Sequence, residues 1–128
     1  MKNLSRRKNI YIASCSFGKD SIATILLALE NKLPLDVVVY SEVMYDNTRG
    51  ISGEFPEHRE WIHNTAIPKL KQMGLEVVVV RDTVDFITNF NKIRKKGKRI
   101  GMKYGFPMVG KCDISKLKLR PIKNFDFS

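Results

Sequence analysis

Cysteine is scarce in this chain, long apolar runs are missing, and acidic residues are nearly absent from both ends. Cys15 and Cys112 are the two thiols. They make no disulfide framework, which suits a reducing, cytoplasmic setting. An iron–sulfur cluster takes more thiolates than the chain can supply. His58 and His63 stand five apart with no cysteine partner, a pattern that disfavours zinc. No apolar stretch approaches the roughly 20 residues that span a bilayer, so no membrane partner is expected. The basic segment 1–8 precedes only a short apolar stretch, which disfavours a cleaved signal. Internal repeats and low-complexity tracts are also lacking. What remains is an ordinary globular composition, 43% hydrophobic and 28% charged over 128 residues, enough for one domain with one core.

The net charge of +10 is unevenly spread. Residues 1–8 hold four basic side chains and no acid, while residues 9–91 hold 7 basic and 11 acidic ones. Residues 92–128 hold 12 basic and 2 acidic ones, a local net of +10. The chain therefore divides into a core over 9–91 and a basic tail over 92–128, and the tail predicts an anionic partner. Charge alone leaves both a nucleotide and a nucleic acid open.

Hydrophobic patterning predicts an α/β fold. Ile10 to Ala13 and Asp36 to Tyr40 read as buried strands, and Leu75 to Val80 reads as a third. Between the first two, Ile22, Ile25, Leu26 and Leu29 recur at helical spacing, with Asp20 or Ser21 expected as the N-cap. A polar loop with Asn47, Gly50 and Gly53 leads to Pro56 at the start of a second helix. Ile62, Ala66, Leu70 and Met73 form its apolar stripe, Pro68 should kink or split it, and Gly74 should close it. Val84 to Ile93 suits a short helix, and the glycine- and lysine-rich stretch from Lys92 to Phe106 looks like a mobile loop. Apolar strands alternating with helices imply a parallel sheet with helices on both faces. Three strands are few for such a sheet. Either the chain is a fragment, or it pairs with something, a second copy included, to complete itself.

Ser16-Phe17-Gly18-Lys19-Asp20-Ser21 lies between the first strand and the first helix. An anion belongs there: the helix N-terminus offers unpaired N–H groups, and Gly18 lets the backbone approach. Ser16 and Ser21 add hydroxyls and Lys19 adds a point charge. Asp20 cannot favour a bare phosphate, so it suits a cap or a divalent metal. The spacing is neither G-x-x-x-x-G-K-[ST] nor G-x-G-x-x-G, which disfavours a Walker-type NTPase or a Rossmann dehydrogenase.

The segment resembles the S-G-G-x-D-S loop of the PP-loop superfamily, with Phe17 where the first glycine usually stands. Three further pieces resemble the phosphoadenosine phosphosulfate (PAPS) reductase family, in particular its phage and prophage members. Val39-Tyr40-Ser41-Glu42-Val43 stands where the family's backbone holds adenine. Glu54-Phe55-Pro56-Glu57 is similar to its F-P-E-T stretch, with His58 replacing the threonine. Cys112 with Leu117-Lys118-Leu119-Arg120-Pro121-Ile122 is similar to its C-x-x-x-L-K-x-x-P pattern, though the spacing is longer.

The resemblance implies a Rossmann-like, adenine nucleotide alpha-hydrolase-like sheet and a sulfur-metabolism role. It implies nucleotide contacts from Ser14, Ser16, Phe17, Gly18, Lys19, Asp20 and Ser21, adenine contacts from Ser41, Glu42 and Val43, and charge neutralisation by Lys118 and Arg120. The ligand would be PAPS, its unphosphorylated analogue adenosine phosphosulfate (APS), or ATP, and a thiol donor such as thioredoxin would be the partner. The family's nucleophile sits in an E-C-G-x-H segment that does not occur here. The expectation is thus the binding half of a reductase without its catalytic cysteine. One alternative is an ATP pyrophosphatase that adenylates an acceptor such as RNA, with Mg²⁺ held on the side of Asp20. Another is a nucleic-acid-binding module that uses 92–123 beside a vestigial loop.

Overall fold

A computed structural model describes residues 9–105 and 120–127. It is an α/β fold built on a small parallel sheet. Strand β1 (Ile12–Ser14) is followed by helix α1 (Lys19–Glu30), β2 (Val37–Ser41), β3 (Met44–Asp46) and β4 (Ile51–Ser52). Helix α2 (Pro56–Trp61), a π-helical turn (Ile62–Ala66) and α3 (Ile67–Gln72) lead to β5 (Glu76–Val80) and α4 (Phe86–Asn91). The parallel sheet has the order β1-β2-β5, with Val37 opposite both Ile12 and Glu76. The valine runs predicted as strands form its centre, and Val38 and Val39 are fully buried.

Both crossover helices lie on one face of the sheet, and the short helical turn over 120–124 lies on the other. Ile25 of α1, Ile62 and Ala66 of the π turn, and Ile67 and Leu70 of α3 share one core with Val38, Tyr40 and Val77. The topology dictates this. Both crossovers step the same way across the sheet, and right-handed crossovers running in one direction deposit their helices on one face. The other face, Val37, Val39 and Val80, packs against Ile10, Val78, Ile122 and Phe127. Ile122 lies in a single helical turn over 120–124.

Other expectations shift for local reasons. β1 is an edge strand, not a buried one, and Tyr11 and Ile12 are each more than 40% exposed (44% and 41%). The N-cap of α1 is Gly18, and no side chain caps it. Asp20 falls in the first turn, where its charge suits the helix dipole. Pro68 does split the second helix, at the π turn. The extra residue in that turn advances the apolar stripe, so Ile67 is buried and Met73 is exposed. Gly74 closes α3 at φ +88°, with the Gly74 amide donating to the Lys71 carbonyl and the Leu75 amide to the Leu70 carbonyl.

The polar loop after β2 is in fact the β3–β4 hairpin. Its Gly53 is required, because a Cβ there would lie 2.7 Å from the Val43 carbonyl oxygen. α4 is capped by Asp85, whose carboxylate accepts from the Thr88 amide at 2.8 Å and the Asn47 amide at 2.7 Å. The stretch after it is not a loose loop. Arg94 donates its amide to Met102, Gly101 to Arg94 and Tyr104 to Lys92, folding 92–104 into a hairpin.

Ile62 is fully buried beneath α1 and the sheet. Ile62→Ala should cost about 2–5 kcal/mol in urea unfolding. A loss under about 1 kcal/mol would show that the side chain is not at the centre of the core.

Candidate functional site

β1 runs into the loop by one more ladder bond, from the Cys15 amide to the Val39 carbonyl at 2.9 Å. The chain then turns through Phe17 at φ +60°, a left-handed conformation that costs a non-glycine residue about 1–2 kcal/mol. The burial of its ring offsets that cost. Phe17 is 2% exposed and meets Tyr40 edge to face, with ring centroids 5.2 Å apart. Phenylalanine can therefore occupy a position whose backbone favours glycine.

Above this ring the polar groups gather. The Ser16 and Ser21 hydroxyls lie 3.0 Å apart, and the Ser16 amide points at the Ser21 oxygen at 3.4 Å. Gly18 and Lys19 are exposed, and the first amides of α1 have no acceptor within their own helix. The fold thus brings Ser16, Gly18, Lys19, Asp20 and Ser21 together at the start of α1, with Ser14 exposed at the end of β1. Phe17 faces the core and offers the loop only its backbone. Cys15 is buried behind it, and burial pushes its thiol pKa up although the Phe17 amide donates to its sulfur.

Ser41, Glu42 and Val43 follow at the carboxyl end of β2. The Ser41 hydroxyl oxygen is buried and has no hydrogen-bond partner among the described residues. The Val43 carbonyl accepts from the Gly53 amide at 2.8 Å, and the Glu42 amide donates to Val80 at 2.9 Å. Glu42 itself is fully buried. Its carboxylate accepts from Arg59 Nε at 2.9 Å and Arg81 Nη2 at 2.9 Å, and lies 3.2 Å from His63 Nε2. Burial alone would push this carboxyl up. The hydrogen bonds from Arg59, Arg81 and Ser52 outweigh it and hold the pKa at about 2. Tyr40 donates to Glu54 at 3.1 Å, and burial together with the Glu54 and Glu42 charges pushes its phenol up.

Arg120 grips Asp82, two residues beyond β5, through Nε and Nη2, both at 2.6 Å. These bonds hold the Asp82 carboxyl below its usual range, against a smaller opposing effect of burial. Lys118 and Cys112 lie outside the described residues. Among the described residues no three His, Cys, Asp or Glu side chains are grouped to hold a metal ion, and no helix is long and apolar enough to cross a membrane.

The cluster around Glu42 is what sequence reading missed. Two signals for it were present. Glu42 and Arg81 occupy the same place after two valine-rich strands, so parallel pairing makes them neighbours. Arg59 and His63 are four apart, on one face of a helix. Comparison with protein-family models, curated proteins and solved structures finds no match to this chain.

The Glu42 carboxyl is depressed in the folded state, so it stabilises the fold above its ordinary value of 4.5 and loses that contribution as pH falls toward about 2. Glu42→Gln should flatten the stability–pH curve across that window in urea titrations. It should also cost about 3 kcal/mol at neutral pH, the low end for breaking a buried pair, since both arginines keep partial access to water. An unchanged acid limb would contradict the pairing.

At the loop, Phe17→Ala should cost about 3–5 kcal/mol. Phe17→Gly should cost about 0.5–1 kcal/mol less, the left-handed penalty minus glycine's larger unfolded-state entropy. Glycine proving equal to alanine or worse would argue against the positive φ.

Proposed function

We propose that the chain binds an adenine nucleotide, its phosphate or sulfate oxygens seated on the loop from Ser16 to Ser21. The observation that carries this reading is the start of α1, a 12-residue helix with no side-chain cap. Its first amides are left for an outside acceptor beside the paired hydroxyls of Ser16 and Ser21 and the exposed Lys19. The site lies beyond the carboxyl ends of parallel strands, where α/β sheets generally hold ligands.

The resemblance to the PAPS reductase family makes a sulfonucleotide the favoured ligand and a Rossmann-like sheet the favoured parent fold. In this reading Ser41, Glu42 and Val43 lie along the adenine and Lys118 answers the remaining charge, while the expected role of Arg120 is taken up by its pair with Asp82. Arg120 stands near the carboxyl end of β5 through its pair with Asp82. The described thiol, Cys15, is unsuited to attack on sulfur because it is buried and its thiolate is disfavoured. The reading is therefore one of nucleotide binding, with any reducing thiol supplied from elsewhere.

One observation favours ATP as a second reading. Asp20 is exposed at the loop and caps nothing with its side chain. A single carboxylate fits Mg²⁺, which keeps water and phosphate oxygens as its other ligands. When bound, the ion would spread the charge of the pyrophosphate.

Calorimetric titration of the chain with adenosine 3′,5′-bisphosphate, and separately with ATP and Mg²⁺, tests both readings. The first predicts preference for the 3′-phosphorylated ligand, weakened about 10- to 100-fold by Lys19→Ala. Preference for ATP with Mg²⁺, lost in Asp20→Asn, supports the second. Failure of both ligands to bind would refute the loop as a nucleotide site.

A further inference from the structure

The hairpin over 92–104 is the most strongly charged part of the described chain. Lys92 to Gly105 holds seven basic residues and no acidic one. Like charges at this density repel, and a solvated loop would spread them apart. Here the backbone does the reverse. The Arg94 amide donates to Met102 at 2.9 Å, Tyr104 to Lys92 at 2.8 Å and Gly105 to Phe90 at 3.0 Å, tying the hairpin to the end of α4. Lys103 anchors it further by donating to Asn91 at 3.0 Å.

The result is a preformed cationic cleft of about 310 Å³, lined by Lys92 to Lys96 and Tyr104. The Tyr104 ring forms part of its wall, with the Arg94 guanidinium 4.6 Å and the Lys92 ammonium 5.3 Å from the ring centroid. Lys95 and Lys96 are exposed at its rim, and Lys98 and Arg99 continue the charge along the hairpin. Ile93, Ile100 and Met102 are exposed beside them.

We infer that this hairpin binds single-stranded nucleic acid. A compact anion would be met by a cluster of charge at one point. Charge drawn out along a hairpin instead matches a string of phosphates. The cleft adds a stacked pair, the Arg94 guanidinium over the Tyr104 ring, whose outer surface is of the kind on which unpaired bases stack. A duplex keeps its base faces covered and could not use it. The exposed apolar side chains are accounted for in the same way, as contacts for unstacked bases. This site is separate from the loop at Ser16 to Ser21 and does not depend on nucleotide binding there.

Fluorescence anisotropy of the full chain with labelled oligouridylate and oligothymidylate of about 12 nucleotides tests the inference. Binding at about 50 mM salt should weaken steeply as salt rises. Lys95→Glu with Lys96→Glu should reduce affinity at least tenfold and lower the log–log salt slope by about 1.4, since each phosphate contact on a single strand contributes about 0.7. Tyr104→Leu should weaken binding about tenfold with little change in that slope. The lysine variant should keep the circular dichroism spectrum and the urea-unfolding midpoint of the parent, which shows that its fold is intact. The inference is overturned if neither oligonucleotide binds, or if binding is indifferent to either substitution. It is also overturned if vesicles of phosphatidylcholine with phosphatidylserine capture the chain more tightly than the oligonucleotides do, since the hairpin would then be a membrane-surface element.

Discussion

One carboxylate, that of Glu42, holds the carboxyl end of this sheet together. A buried carboxylate with no partner is strongly unfavourable, so its position is tolerable only where cations reach it in good geometry. Arg81 comes from just beyond the neighbouring strand, Arg59 from α2 and His63 from the π turn. Three segments far apart in sequence, the end of β2, the helical stretch carrying Arg59 and His63, and the end of β5, are thereby required to meet at one point. The split helix is held over the end of the sheet by this requirement as much as by its apolar stripe. Tyr40, two residues before Glu42, lies between His63 and Phe17 with ring centroids 6.4 and 5.2 Å away. The loop from Ser16 to Ser21 and the charge cluster are thus two ends of one column of rings.

The second organising constraint is chirality. Two right-handed crossovers stepping in the same direction leave both of their helices on one face of a three-stranded sheet and neither on the other. The valines of that other face still demand cover. Ile10 and the segment 120–127 supply it, and the Arg120–Asp82 pair fastens that segment at the end of β5. Among the described residues the basic tail therefore includes a hairpin that projects its charge and a C-terminal piece that packs on the sheet.

Much of the framework could be read from residue order. Consecutive valines marked β2 and β5, Pro68 marked the break between α2 and α3, and Gly74 marked the end of α3, because each rests on local sterics. The loop was also legible, since strand, glycine, lysine and helix follow one another within ten residues of sequence. What was not legible depended on pairing. Which face each helix covers follows from strand order, which no local pattern encodes. The burial of Glu42 follows from the register of β2 against β5. The polar stretch after β2 gave no strand signal, because β3 and β4 are only three and two residues long. The hairpin at 92–104 was hidden by its composition: lysine and glycine suggest mobility, whereas its order comes from backbone bonds and the Tyr104 ring.

Phe17 belongs to two things at once, the hydrophobic core and the turn that would cradle an anion. In loops built wholly on glycine the cradle can change shape while the interior stays still. Here the two are mechanically joined, so whatever occupies the turn is felt by the interior. By thermodynamic linkage, a ligand seated there would raise the melting temperature of the whole domain, and loosening of the interior would reduce affinity without touching a single contacting group. A cradle of this type makes occupancy and folding parts of one equilibrium.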